Sequence, residues 1–253
     1  MTGNAGDTDS DQGAAVAGTE VPILHARTLA EAYLFLNLVI ASDDLTSLDE
    51  TEEPAGTEPT REPAEPGGTG EPDEVEHAEP RARGRVIDYE RWTTLTEGRT
   101  AWTLLFDGPD TGPRHRIIIV IPYETEFAAR HGRPRFGPGR SDIIDPGQWQ
   151  LAGAGYAHRA LREAALYAEN PTDHDRFQEV VANWAYARDA VAEAAKFLPD
   201  GADEIPEEAF WTEEGATTRR DEPERFTRDG LQSDLALYQH HLDRFVEVHG
   251  PPP

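Results

Sequence analysis

The chain has no cysteine, a single methionine and a single lysine, Lys196. Without cysteine there is neither a disulfide nor a thiolate metal site, so no redox compartment is written into the sequence. Long apolar runs are also missing, and none approaches the roughly 20 residues needed to span a bilayer. The opening residues, MTGNAGDTDSDQG, are acidic and lack the apolar segment of a secretory signal. These absences predict a cytoplasmic protein without membrane association. Positive charge falls almost wholly on arginine, a bias that fits a GC-rich genome.

Acid is abundant, and its placement is informative. Of a net charge of −26, residues 43–80 contribute 14 Asp and Glu against Arg61 alone. Residues 1–20 add four acids and no base, and residues 200–225 hold ten acids against three arginines. What remains is nearly neutral, so the acid is an appendage and not a property of the fold. Residues 1–20 read as a disordered tail and residues 43–83 as a disordered acidic linker rich in Pro and Glu. Leu45, Leu48 and Val75 are the only large apolar residues over 43–80, too few to offset the entropy of ordering that stretch. The rest is long enough for one sizeable core.

The pattern predicts a single α+β domain over residues 21–253, interrupted by that linker. Thr28 and Glu31 form a capping box opening a helix over residues 29–40 that is apolar nearly all round and should be covered on more than one side. The sheet part, residues 84–122, reads as a small antiparallel three-stranded meander with strands at 86–95, 100–106 and 116–121. The unbroken run from Ile117 to Ile121 suits a strand buried on both faces. A basic loop, 130–140, leads to a C-terminal helical half over 145–249. There Asp145, Pro146 and Gln148 open one helix, Thr172 caps the next, and Pro206 starts a short one. Trp149, Tyr156, Phe177, Val181, Trp184, Leu235, Leu242 and Phe245 are the expected helical core.

Chemical signatures are sparse. Trp149, Ala152, Gly153 and Tyr156, with Ala165, have the spacing of a tetratricopeptide helix, but no second copy follows. Gly153 and Gly155 fall inside a helix that has already begun, which argues for close helix packing and against a dinucleotide fingerprint. No HxxxH or HExxH occurs, and His240, Asp243 and Glu247 lie on the far side of the last helix from its apolar stripe. The strongest candidate site is the basic loop, where Arg130, Arg133, Arg135 and Arg140 accompany Phe136 with no acid between them. Such a loop could grip an anionic ligand bidentately, or it could be a solvated connection whose arginines meet the chain's own acid. The overall charge and the lack of a recognised motif argue against nucleic acid.

Three blocks resemble an uncharacterised actinobacterial protein family. They are the HARTxAEAxL helix (His25, Ala26, Arg27, Thr28, Ala30, Glu31, Ala32, Leu34), the DPGxW helix (Asp145, Pro146, Gly147, Trp149) and the PDGADxxP block (Pro199 to Pro206), followed by Phe210 and Trp211. That family's usual Cys-x-x-Cys pairs would suit a structural zinc. Here the acidic linker and DGPDTGP stand in their places, so the resemblance implies no metal or cofactor in this chain. With no nucleophile, base and metal set in view, the expected role is a non-enzymatic adaptor or assembly partner, binding another protein through the helical half and the Arg loop. Three rivals stand beside it. One is an immunity or antitoxin-type inhibitor of a basic toxin, the second a hydrolase whose His, Asp and Glu converge from separate helices, and the third a nucleic-acid binder, which would show steep salt dependence.

Overall fold

A computed structural model describes residues 21–49, 89–108, 116–131 and 134–250. The tail 1–20, most of the acidic linker, residues 109–115 with most of DGPDTGP, and Arg133 lie outside the described residues. The described chain is mixed α+β, in the order β1 (Ile23–His25), α1 (Leu29–Asp49), a single helical turn α2 (Tyr89–Trp92), β2 (Thr93–Glu97), β3 (Ala101–Asp107), β4 (Arg116–Pro122) and α3 (Tyr123–His131). The helical half follows as α4 (Pro146–Glu169), α5 (His174–Ala195), a 3-10 turn at Glu207–Ala209, α6 (Glu213–Asp221), a second 3-10 turn at Pro223–Phe226 and α7 (Arg228–His249).

The sheet has four strands in the order β1-β4-β3-β2, where three were expected. β2, β3 and β4 are the antiparallel meander, with Leu104 opposite Ile119 and Phe106 opposite Ile117. The added strand, β1, runs parallel to β4 and pairs Ile23 with Ile118 and His25 with Val120. Three residues are too few to display a period, so only the β4 edge reveals that Ile23–His25 is a strand. β2 begins at Thr93 and not at residue 86, because Tyr89–Trp92 turns helical just before it. β4 also departs from its predicted burial on both faces. Ile117, Ile119 and Ile121 are buried, whereas Ile118 and Val120 are half-buried, so the strand alternates in depth despite its unbroken apolar sequence.

Every residue of α1 from Leu29 to Ile40 is buried or half-buried, as an apolar circumference requires. The helix continues to Asp49, past the residue 43 at which the linker was expected to begin. α3 and α6 are additional helices. Each is nine residues of largely polar sequence, too short and too weakly patterned to stand out.

In the helical half the caps are formed largely by the expected residues. Asp145 accepts from the Gln148 backbone N–H while the Gln148 side chain accepts from the Asp145 N–H. Asp173, one residue later than expected, caps α5, and the Thr172 hydroxyl bonds Asn170 instead. α4 and α5 form a hairpin with α7 packed on α5 and α6 on α4. At their heart Trp149, Phe177, Trp184 and Phe245 are buried, with Tyr156, Val181, Leu235 and Leu242 half-buried around them. A Cβ on Gly153 would press on the Ala187 carbonyl at 3.3 Å, so this glycine sets the close approach of α4 to α5.

Candidate functional site

Each of the three sequence blocks is used at a structural joint. In the first, the Arg27 guanidinium donates to Glu31 at 2.7 Å, to Glu193 on α5 at 2.8 Å and to the Gly139 carbonyl at 2.5 Å. Lys196 Nζ donates to the other oxygen of Glu193 at 2.6 Å and to the Gly137 carbonyl at 2.8 Å. Gly137 has φ of +93° and lies so close to Arg27 that a Cβ there would crowd the arginine's own. Two cations and two carboxylates are thus balanced in a cluster where Glu31 and Glu193 are almost fully buried. Burial lowers the Lys196 pKa, with the Arg27 charge acting in the same direction, and Glu193 only partly offsets them.

The second block joins two helix starts. Asp145 is fully buried, and its second oxygen accepts from the Thr212 N–H at 2.9 Å and from the Thr212 hydroxyl at 2.6 Å. Thr212 in turn caps α6 through the Gly215 N–H. Gly147 is required because a Cβ there would run into the Gly215 backbone. In the third block the Ala202 and Asp203 carbonyls accept from Arg228 at the start of α7, and Phe210 meets Phe226 edge to face. The residues of these three blocks therefore hold elements together.

The basic loop is not one cluster. Arg130 lies in the last turn of α3, pairs with Glu126 at 2.7 Å and lies over Trp102, lining a cavity of about 360 Å³ with Tyr123, Phe127 and His131. Phe136 is buried against Trp149 and Tyr186, so its ring belongs to the core and is not available to stack on a ligand. Arg140 sits over Phe197.

Arg135 has the most suggestive surroundings. Its guanidinium lies 4.1 Å from the Tyr186 ring centroid, and Nε donates to Asp189 at 2.9 Å. Burial disfavours the charge, but the hydrogen bond to Asp189, together with the interactions of Tyr186 and the Asp189 charge, outweighs that and raises the pKa above the ordinary arginine value. The other oxygen of Asp189 accepts from Arg188 at 2.5 Å, and Arg188 also donates to Gln239 on α7 at 2.7 Å. Two guanidiniums thus share one carboxylate on a cavity of about 380 Å³, completed by Ala129, Pro134, Ala185 and Leu242. Arg188 and Asp189 were not expected from the sequence. Their only signal there is an adjacent charged pair with alanines on either side, small side chains that leave room beside the charges.

Among the described residues, no group of three or more His, Asp and Glu side chains could hold a metal ion. His131, His241 and His249 lie against Phe127, Trp184 and Tyr167, while His240, Asp243 and Glu247 are exposed. Also among the described residues, no helix is long and apolar enough to cross a membrane. Comparison with protein-family models, curated proteins and solved structures finds no match to this chain.

Proposed function

We propose that this protein is a non-enzymatic adaptor or assembly partner that binds another protein through its helical half, with the surface around Arg135 and Arg188 as the contact. One observation carries this reading. The motif residues are used in joints, whereas Arg135 and Arg188 together bring more positive charge than Asp189 neutralises, beside an open cavity. Arginine next to tyrosine is a pairing that protein interfaces favour, because both present large, rigid contact area. The resemblance to an actinobacterial family is compatible with this role, since its blocks preserve architecture and supply no reactive constellation.

The test is recovery of the tagged full-length chain from its native host, followed by size-exclusion chromatography at moderate salt. A defined protein co-migrating at a fixed ratio, and rebinding when purified, is the expected result. A chain that elutes alone under all conditions while turning over a substrate overturns the reading in favour of an enzyme.

A further inference from the structure

We propose that the cavity bounded by α3, the 134–140 segment, α5 and α7 is a site for a single carboxylate on an aliphatic stem, supplied by an acidic side chain or a free C-terminus of a protein partner. This rests on the adaptor reading and specifies what its contact recognises.

Charge sets the class of ligand. Among the described residues that line the cavity, Arg135 and Arg188 bring two positive charges against the one negative charge of Asp189, so one more negative charge balances them. A phosphate dianion would exceed that balance and would confront the Asp189 carboxylate. A carboxylate matches it and fits the planar fork of a guanidinium. Among the described residues, the only other acid linked to the group is Asp243, which is exposed and accepts from the Gln239 amide at 2.7 Å.

Geometry supports the same ligand. Asp189 and Gln239 take three of the five N–H donors of Arg188, fixing its plane and leaving donors on its terminal nitrogens. Arg135 is held by Asp189 and by the face of Tyr186. Guanidiniums fixed in advance lose less side-chain entropy on binding than free ones. The rest of the wall is Ala129, Pro134, Ala185 and Leu242, an apolar lining that suits methylenes next to a charged head.

The experiment follows the arginine Nε–Hε NMR signals of the full chain, with Arg135 and Arg188 assigned through their lysine variants. The probes are N-acetylglutamic acid α-amide, N-acetylleucine, N-acetylleucine amide and inorganic phosphate. Saturable shifts of both signals with one or both carboxylates, none with the amide, and weaker binding of phosphate are expected. The better of the two carboxylates then identifies a side chain or a C-terminus as the source. Arg188→Gln should weaken carboxylate binding about tenfold or more, and Asp189→Asn should raise phosphate affinity, with thermal melting confirming that each variant is folded. Absence of any saturable shift, or phosphate binding the wild-type chain as tightly as the carboxylates, overturns the proposal. Either result leaves the adaptor reading standing, because that is judged by whether the wild-type chain retains a partner.

Discussion

Arg27 and Glu193 stand 166 residues apart in sequence and meet at 2.8 Å, tying the turn before α1 to the end of α5. Glu193 is 1% exposed at its side chain and Glu31, the other carboxylate on Arg27, is 0% exposed. Removing the guanidinium leaves both carboxylates with Lys196 as the one remaining cation of the cluster. Arg27→Met should therefore cost about 3–5 kcal/mol, as expected when one partner of a buried pair is lost. Urea unfolding of wild type and variant measures it, and a change near zero would show that the cluster contributes no net stability to the joint.

Trp184 is buried, and its ring stacks on His241 at 4.7 Å between centroids. Trp184→Ala should destabilise by about 3–5 kcal/mol, with Trp184→Phe costing less because it leaves a smaller cavity. Calorimetry would register this as a fall in the melting midpoint. An unshifted midpoint would contradict the packing of α5 on α7.

Gly147 faces Gly215 across the paired starts of α4 and α6, so Gly147→Ala should force those helices apart at a cost of about 1–3 kcal/mol. Asp145→Ala should cost more than the ~1 kcal/mol of an ordinary cap, because one buried carboxylate serves both helix starts. Asp145→Asn should fall between that variant and wild type. Chemical denaturation of the three variants would reveal the order.

Burial raises the phenol pKa values of Tyr156 and Tyr238, against opposing charges from Arg159 and Arg225. A group whose pKa is higher in the folded than in the unfolded state adds stability that is intact below its ordinary value, about 10 for tyrosine. That stability is lost as pH climbs through the folded value. The chain should accordingly weaken under alkaline conditions, and the Tyr156→Phe, Tyr238→Phe double variant should weaken less between pH 9 and pH 11 than wild type, those limits lying about one unit either side of the ordinary value. Parallel loss in both proteins would assign the alkaline transition to other groups.

The acidic segment and the arginine cavity belong to one chain, so if the segment reaches the cavity it competes there at an effective concentration of roughly millimolar. Exposed ion pairs are worth only about 0–1 kcal/mol each and fade with salt. Deleting residues 50–79 should thus tighten binding of a polyanion such as polyglutamate severalfold at low ionic strength, with little change at high salt. The thermal midpoint should stay almost unchanged. Equal polyglutamate affinity with and without the segment at low salt would show that it does not mask the site.

Much of the fold was legible because local physics repeats over many residues. The apolar circumference of α1, the Thr28 cap that accepts from the Glu31 N–H, the capping box at Asp145, and the stripe from Phe177 to Val191 are all written at short range, although Glu31 accepts from the Arg27 N–H and not from that of Thr28 as a full box requires. Where that repetition was missing, the sequence fell silent. β1 is three residues recognised only by its partner β4, and α3 and α6 are short and polar.

The site was legible in a different proportion. An arginine-rich stretch was visible, but a list of charges does not say which of them the fold neutralises. Among the described residues of that stretch, Phe136 went to the core, Arg130 to Glu126, and only Arg135 reached the cavity, where Arg188 and Asp189 arrive from a helix more than fifty residues further along the chain. By itself the sequence determined the long helices, the meander and the segregation of acid, because those depend on composition and on spacings of two to four residues. Which charges balance one another, and which remain to meet a ligand, was decided only by tertiary structure, because Coulomb attraction and burial act on distance in space and not along the chain.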